Sequence, residues 1–269
     1  MTVQNLHTHT TWCDGKNAPE DYIRAAVELG MKYIGFSGHS NTPFDPHYCM
    51  NASREAGYRA EIAALREKYA GQIRVLRGIE QDVFSEKPWD GYDYVIGSVH
   101  YLHLGDEYVP TDGDPKHLVA AADKYFGGDV YALLELYFAS VSHVVEDTDA
   151  DIIGHFDVIS KYNIGTPWFD ESHPRYVRAW QNALDTLLAT GKPFEMNAGP
   201  FLRGLRPVPY PTPEMQAYIT ARGGRLIRSA DSHNVEIFRA FHAACADPDN
   251  VLSRLPNDDE VILSELFGE

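Results

Sequence analysis

Basic residues are scarce in this chain: 23 Lys and Arg stand against 39 Asp and Glu over 269 residues, a formal charge of −16. Duplex nucleic acid is gripped through its phosphates by a basic footprint, and none is present. An acidic surface suits concentration of cations instead. Cysteine is equally sparse. Cys13, Cys49 and Cys245 form no C-x-x-C, and the odd count excludes a closed disulfide framework or a Cys-rich zinc knuckle. No run approaches the ~20 apolar residues needed to span a bilayer. The opening MTVQNLHTHTTWCDG has neither the basic nor the apolar region of a secretory signal, so a cytoplasmic protein without a membrane partner is expected. Internal repeats, low-complexity tracts and Pro/Gly/Ser linkers are also missing. Residues 1–269 therefore read as one domain, of a length that suits a single large α/β barrel. Walker A, G-x-G-x-x-G and H-E-x-x-H motifs are absent. GFSGH lacks the final glycine of a nucleophile elbow, and DTDADI departs from a Ca²⁺ loop at Ile152 and Val158, leaving an acidic helix end.

What is abundant is histidine, with 12 residues, several beside carboxylates. Short β-like runs at 5–9, 33–39, 73–80, 94–100, 151–155, 193–197 and 225–229 alternate with helical stretches. Tyr58, Ile62, Leu65 and Tyr69 recur at helical spacing, as do Val177, Trp180, Leu184, Leu187 and Leu188. Pro19 suits the first turn of a helix and Gly30 its C-terminal stop. The proline-rich run RGLRPVPYPTPEM reads as a rigid loop before a helix. Seven strand–helix alternations imply a mostly parallel sheet, most economically closed into a barrel.

The histidines fall where such a barrel keeps its active site, at the C-terminal ends of the strands. His7 and His9, two apart on a strand, share a face. Asp14 follows in the loop; His39, Glu80, His100 and His155 end successive runs, and Asp231 and His233 repeat the spacing after the last. Singly, a strand-end His or Glu is most often a packed, hydrogen-bonded residue. Nine nitrogen and oxygen donors at matching positions on six strand ends are a joint pattern, suited to Zn, Fe or Mn. His103, His117, His143, His173 and His242 lack such a setting and are read as structural, and Cys13 as a small buried thiol.

HTHTTWCDG, GFSGHS, RGIE, GSVH, GHFD and SADSH resemble the ordered motifs of the PHP (polymerase and histidinol phosphatase) superfamily, from His7 to His233. PFDPHYCM, EKYAG and IGSVHYL resemble its L-histidinol-phosphate phosphatase branch. The resemblance implies a distorted (β/α)7 barrel of α/β class with two or three divalent ions. It assigns one ion to His7, His9, Glu80 and Asp231, with Glu80 bridging to a second held by His100 and His155, and a third to Asp14, His39 and His233. Gly38 stands where relatives usually carry an acidic residue.

The implied activity is a phosphoric monoester hydrolase. Hydroxide bridging two metals would attack phosphorus, Asp231 or His233 serving as general acid or base beside the bridging Glu80. Lys161, Arg203 and Arg206 are the candidate contacts for the small anionic ester, and Asp45 or Glu107 for an ammonium on its alcohol half. L-Histidinol phosphate is the leading substrate. The alternatives are another monoester such as a nucleotide or phosphotyrosine, an amidohydrolase-like C–N substrate, or a metal-binding module without turnover. Glu80 at the bridging strand end, where amidohydrolase-like barrels usually carry a carboxylated Lys, favours phosphate chemistry. The sequence carries no signal for an oligomeric state.

Overall fold

The computed structural model describes residues 4–87, 90–165 and 167–268. Its main sheet joins β1 (Tyr33–Phe36), β2 (Arg74–Asp82), β3 (Tyr94–Ser98), β6 (Ile152–Ile153), β7 (Phe194–Asn197) and β8 (Leu226–Ser229) in that order. Every pairing within it is parallel. The sheet curls until its edges meet across residues 5–9. Gly35 and Ser37 donate their N–H groups to the Asn5 and Thr8 carbonyls at 2.8 and 3.0 Å, and His9 donates to the Ser232 carbonyl at 2.9 Å. Residues 5–9 are thus the seventh stave of a distorted (β/α) barrel, but with only a single β-bridge, from Thr8 to Ser232. Side chains replace the missing ladder bonds: Thr8 N–H donates to Ser37 Oγ at 3.2 Å, and Asn5 Oδ1 accepts from Ala230 N–H at 2.8 Å.

Two other expected strands are shorter than their sequence suggests, for the same reason. The run 151–155 keeps only Ile152 and Ile153 in the sheet, because His155 N–H leaves the ladder for Glu195 Oε2 at 2.8 Å. Likewise β3 stops at Ser98, and His100 N–H goes to Asp82 Oδ2 at 2.6 Å. Beyond it an antiparallel hairpin forms from β4 (Tyr101–Leu104) and β5 (Glu107–Pro110). Gly105, at φ 60°, takes its tight turn.

Eleven α-helices surround the sheet among the described residues. The N-terminal half of the chain carries α1 (Pro19–Glu28), α2 (Ala52–Lys68), α3 (Pro115–Phe126), α4 (Val130–Ser142) and α5 (Val144–Thr148). The C-terminal half carries α6 (Pro174–Leu188), α7 (Gly199–Leu202), α8 (Pro213–Ala221), α9 (Val235–Ala246), α10 (Val251–Arg254) and α11 (Asp259–Phe267). Pro19 opens α1 and Gly30, at φ 68°, follows its end. The apolar stripe of α2 buries Tyr58, Ile62 and Leu65, and that of α6 buries Trp180, Leu184 and Leu187. Val177 and Leu188 of the α6 stripe are only partly covered. The proline-rich run is a loop that follows the single turn of α7 and leads into α8.

The barrel is solid at the N-terminal ends of its strands. Tyr94, fully buried, donates its hydroxyl to the Leu6 and Phe36 carbonyls inside the ring. Glycine makes room for it: a Cβ on Gly78 would lie 2.2 Å from the Tyr94 ring, and one on Gly35 2.3 Å from its hydroxyl. Ile262 and Leu263 of α11 pack beneath, against Ile96, Ile152 and Ile227. The C-terminal ends are left for polar groups. No helix among the described residues is long and apolar enough to cross a membrane.

Candidate metal centre

The polar mouth brings all nine predicted donors together. Three overlapping groups have donor atoms within 4.8 Å of one another: His7, His9 and Glu80; His39, Glu80 and His100; and His9, Asp14, His39 and His233. Glu80 is the hub. Its Oε2 lies 3.3 Å from His7 Nε2, 3.5 Å from His9 Nε2 and 2.9 Å from His39 Nδ1, while Oε1 lies 3.3 Å from His100 Nε2 and 2.9 Å from His155 Nε2. Asp231 Oδ1 approaches the same pair of imidazoles, 3.7 Å from His7 Nε2 and 3.3 Å from His9 Nε2. On the outer side Asp14 lies 3.2 Å from His233 Nε2, 3.8 Å from His39 Nε2 and 3.4 Å from His9 Nδ1. His39 therefore stands between two of the expected groups instead of belonging to one.

Local structure explains the convergence. His7 and His9 point one way because residues 5–9 are extended, and β2 carries Glu80 and Asp82 at the same spacing. Asp231 has a left-handed backbone, φ 43°, which costs a non-glycine residue on the order of 1 kcal/mol. Its loop is held by Ser232 N–H donating to the His7 carbonyl at 3.2 Å. Gly38 faces Met50 and Cys13. A Cβ there would sit 3.1 Å from Met50 Cε and 3.2 Å from Cys13 Sγ, so these two side chains fill the space an acidic residue would need. Cys13 is buried, with Sγ 3.5 Å from His9 Nδ1.

Behind the donors lies a supporting layer that sequence reasoning missed. Glu195 of β7 is 1% exposed and bonds His7 Nδ1 through Oε1, which also accepts from Ser229 Oγ at 2.6 Å. Its Oε2 accepts from His155 N–H at 2.8 Å and Asn197 Nδ2 at 3.1 Å. Asp82 lies 3.3 Å from His100 Nδ1, and Ser98 donates to Glu80 Oε1 at 2.8 Å. Such partners fix the tautomer and aim of an imidazole. The available signal was a carboxylate set among buried apolar residues, Phe194-Glu195-Met196, on the same strand face as Asn197.

The electrostatics ask for cations. Burial opposes charge on His7, yet Glu195, Glu80 and Asp231 lift its pKa to about 10. His9 and His100 are raised as well: burial opposes the shift, and Asp14 and Asp231 in one case, Glu80 and Asp82 in the other, outweigh it. His39 goes the other way, because burial outweighs Glu80. The carboxyls of Glu80 and Asp231, disfavoured as anions by burial, are nonetheless held well below their usual range by the surrounding imidazoles. His7 Nε2, His9 Nε2 and Glu80 Oε2 are buried without a hydrogen-bond partner among the described residues. Buried orphan atoms aimed at one another, on nitrogen and oxygen donors alone, fit divalent metal ions.

Seven of the donors line a cavity of about 550 Å³, with His7 and His9 fully buried behind them. Lys161 lines it too, paired with Asp112 at 3.0 Å, as does Arg203, whose Nη1 donates to the Asp231 carbonyl at 3.1 Å. Lys16, unnoticed in the sequence, completes the cationic rim. Arg206 does not line the cavity, contrary to expectation. It is buried behind the wall, donating to the Ser160 carbonyl at 2.7 Å with its guanidinium over the Tyr210 ring. Glu107 also lies elsewhere, bound at the surface to Lys124 and Tyr125 at 2.8 and 2.9 Å.

A closed β/α barrel with six imidazoles and three carboxylates converging at its C-terminal mouth belongs to the class of barrels built around a polynuclear metal centre. More particularly, residues 5–199 match the model of the PHP domain, and the chain belongs to that family. It is 28% identical over 238 residues to a Deinococcus radiodurans protein named "Probable histidinol-phosphatase", covering 84% of this chain and 85% of that one. It is 28% identical over 202 residues to a Bacillus subtilis histidinol-phosphatase, covering 65% and 73% respectively. The crystal structure of a Lactococcus lactis histidinol phosphate phosphatase, complexed with zinc, L-histidinol and phosphate, shares the fold at a TM-score of 0.65 and 19% identity. That match covers 90% of this chain and 93% of the other.

Proposed function

We propose that this protein is a metal-dependent phosphatase that hydrolyses L-histidinol phosphate to L-histidinol and phosphate, a step of histidine biosynthesis. The observation that carries this reading is the convergence of nine donors, seven of them lining a cavity whose rim holds cationic side chains. The resemblance to named histidinol-phosphatases supplies the substrate. His7, His9, Glu80 and Asp231 would hold one ion, Glu80 would be shared with a second at His100 and His155, and Asp14 and His233 would hold a third, with His39 placed between it and Glu80. Divalent ions bound there would lower the pKa of water from about 15.7 towards ~7 and neutralise charge on the phosphoryl oxygens.

The protein's own groups do the rest. Lys161 and Arg203 meet the phosphate oxygens from the rim. His233, about a quarter exposed and beside Asp231, moves a proton between the cavity and the leaving oxygen. Arg203 lies 3.5 Å from Asp231 and helps keep that carboxylate ionised. We read residues 1–269 as one domain, because β8 and residues 5–9, from opposite ends of the chain, complete the same barrel. Three buried cysteines, none in a disulfide among the described residues, suit the reducing cytoplasm. The test is phosphate release from L-histidinol phosphate beside a panel of nucleotides, phosphotyrosine and simple alkyl phosphates, with chelated and metal-restored protein. Chelator-sensitive turnover that favours histidinol phosphate is expected; turnover indifferent to chelation would sink the reading.

A further inference from the structure

Two carboxylates line the cavity outside the metal-donor groups, Asp45 and Asp112. They are in different electrostatic states. Asp112 is neutralised by Lys161 at 3.0 Å. Asp45 forms no ion pair among the described residues, and its Oδ2 accepts only a neutral hydroxyl, that of Tyr101, at 2.8 Å. Its backbone is fixed by a turn, with Asp45 N–H donating to the Thr42 carbonyl at 3.0 Å. Cys49 Sγ contacts the Asp45 carbonyl at 3.6 Å. The ring of Tyr48 stands between Asp45's partner and the metal donors: its centroid is 4.7 Å from His39, edge-on, and 6.4 Å from Tyr101. One cavity thus has metal donors with Lys161 and Arg203 at one wall, and an unneutralised carboxylate on an aromatic wall at another.

The geometry points to Asp45, braced by Tyr101, as the specificity contact for a cationic amine on the alcohol half of the substrate. This rests on the phosphatase reading and narrows its substrate class to phosphate monoesters that carry an ammonium group on the alcohol half. A half-buried carboxylate without a counter-ion gains most from a substrate cation that supplies one. Tyr48 and Tyr101 line the same cavity, and aromatic rings there favour a cation.

The test compares L-histidinol phosphate with its deaminated analogue, 3-(imidazol-4-yl)propyl phosphate, in steady-state kinetics of the metal-loaded wild type, Asp45→Asn and Tyr101→Phe. The amide is isosteric and still accepts from Tyr101, so folding is preserved. Tyr101→Phe, outside the metal centre, provides an independent variant. For Asp45→Asn, kcat/KM on histidinol phosphate should fall about 10- to 100-fold, mainly through KM, the range for one hydrogen bond to a charged group. The deaminated ester should be hydrolysed as by wild type. Tyr101→Phe should give a smaller loss with the same selectivity. Equal losses on both esters, or none on either, would overturn the assignment. A wild type that hydrolyses both esters without preference would overturn it while leaving the phosphatase reading intact. A metal-loaded wild type that hydrolyses neither would overturn both.

Discussion

Replacing Glu195 by Gln should weaken metal retention without unfolding the barrel. The carboxylate has four donors around it: His7 Nδ1 and Ser229 Oγ on Oε1, and His155 N–H and Asn197 Nδ2 on Oε2. An amide can satisfy only one side. If its oxygen faces His7, its NH₂ confronts the two donors from His155 and Asn197. If it turns over, NH₂ faces His7 Nδ1 and drives the imidazole proton to Nε2, the atom 3.3 Å from Glu80 and aimed at the ion site. Either arrangement also removes a negative charge that favours a cation. Loss of an outer partner typically weakens metal affinity 10- to 100-fold, about 1.4–2.7 kcal/mol. The assay is equilibrium dialysis against graded chelator, followed by elemental analysis, with melting of the metal-free protein as the control for folding. Unchanged metal retention in Glu195→Gln would refute the argument that this carboxylate sets the tautomer of His7.

The two cations that looked alike in the sequence should behave differently. Lys161→Ala should raise KM for the phosphate ester about tenfold and leave the melting temperature nearly unchanged, because Lys161 lies at the rim with Asp112; kinetics and melting of one preparation decide it. Arg206→Ala should do the reverse. It strips the nearby positive charge from Asp157, whose pKa burial already pushes up to about 6 against the pull of Arg206, so a loss of about 3 kcal/mol is expected, seen as a melting point lower by some 6–12 °C. Asp259→Ala breaks a buried pair in which Arg228 donates through Nε and Nη2 at 3.0 and 2.8 Å, and should cost about 3–5 kcal/mol, measured by denaturant titration. A change below about 1 kcal/mol would show that the tie between α11 and β8 contributes little.

Much of this was legible in the sequence because a parallel barrel converts strand position into spatial position. His7 and His9, Glu80, and Asp231 with His233 were each readable as the last polar residues of a run, and strand ends in such a fold share one rim. The exceptions are places where side chains stand in for backbone. Residues 5–9 and 151–155 lose regular pairing because Ser37, Asn5 and Glu195 take hydrogen bonds that a strand would give. Glu195 itself was hidden because its partner, His7, is distant in sequence and no local period connects them. The β4–β5 hairpin did carry a signal, Gly105-Asp106 between alternating runs, which the search for parallel strands passed over. Arg206 was misplaced for the opposite reason: proximity to a strand end in sequence does not say which side of the wall a long side chain takes.

Monoester hydrolysis should depend on more than one ion held by these nine side chains, with Glu80 shared between two of them. The most direct measurement titrates chelated protein with Mn, Zn or Fe while bound metal and phosphate release from L-histidinol phosphate are followed together, in wild type and Glu80→Gln. Activity should stay near zero through the first equivalent and rise as the second binds, and Glu80→Gln should lose bound metal and turnover together. Full activity at one equivalent or fewer, or wild-type turnover in Glu80→Gln, would contradict the account.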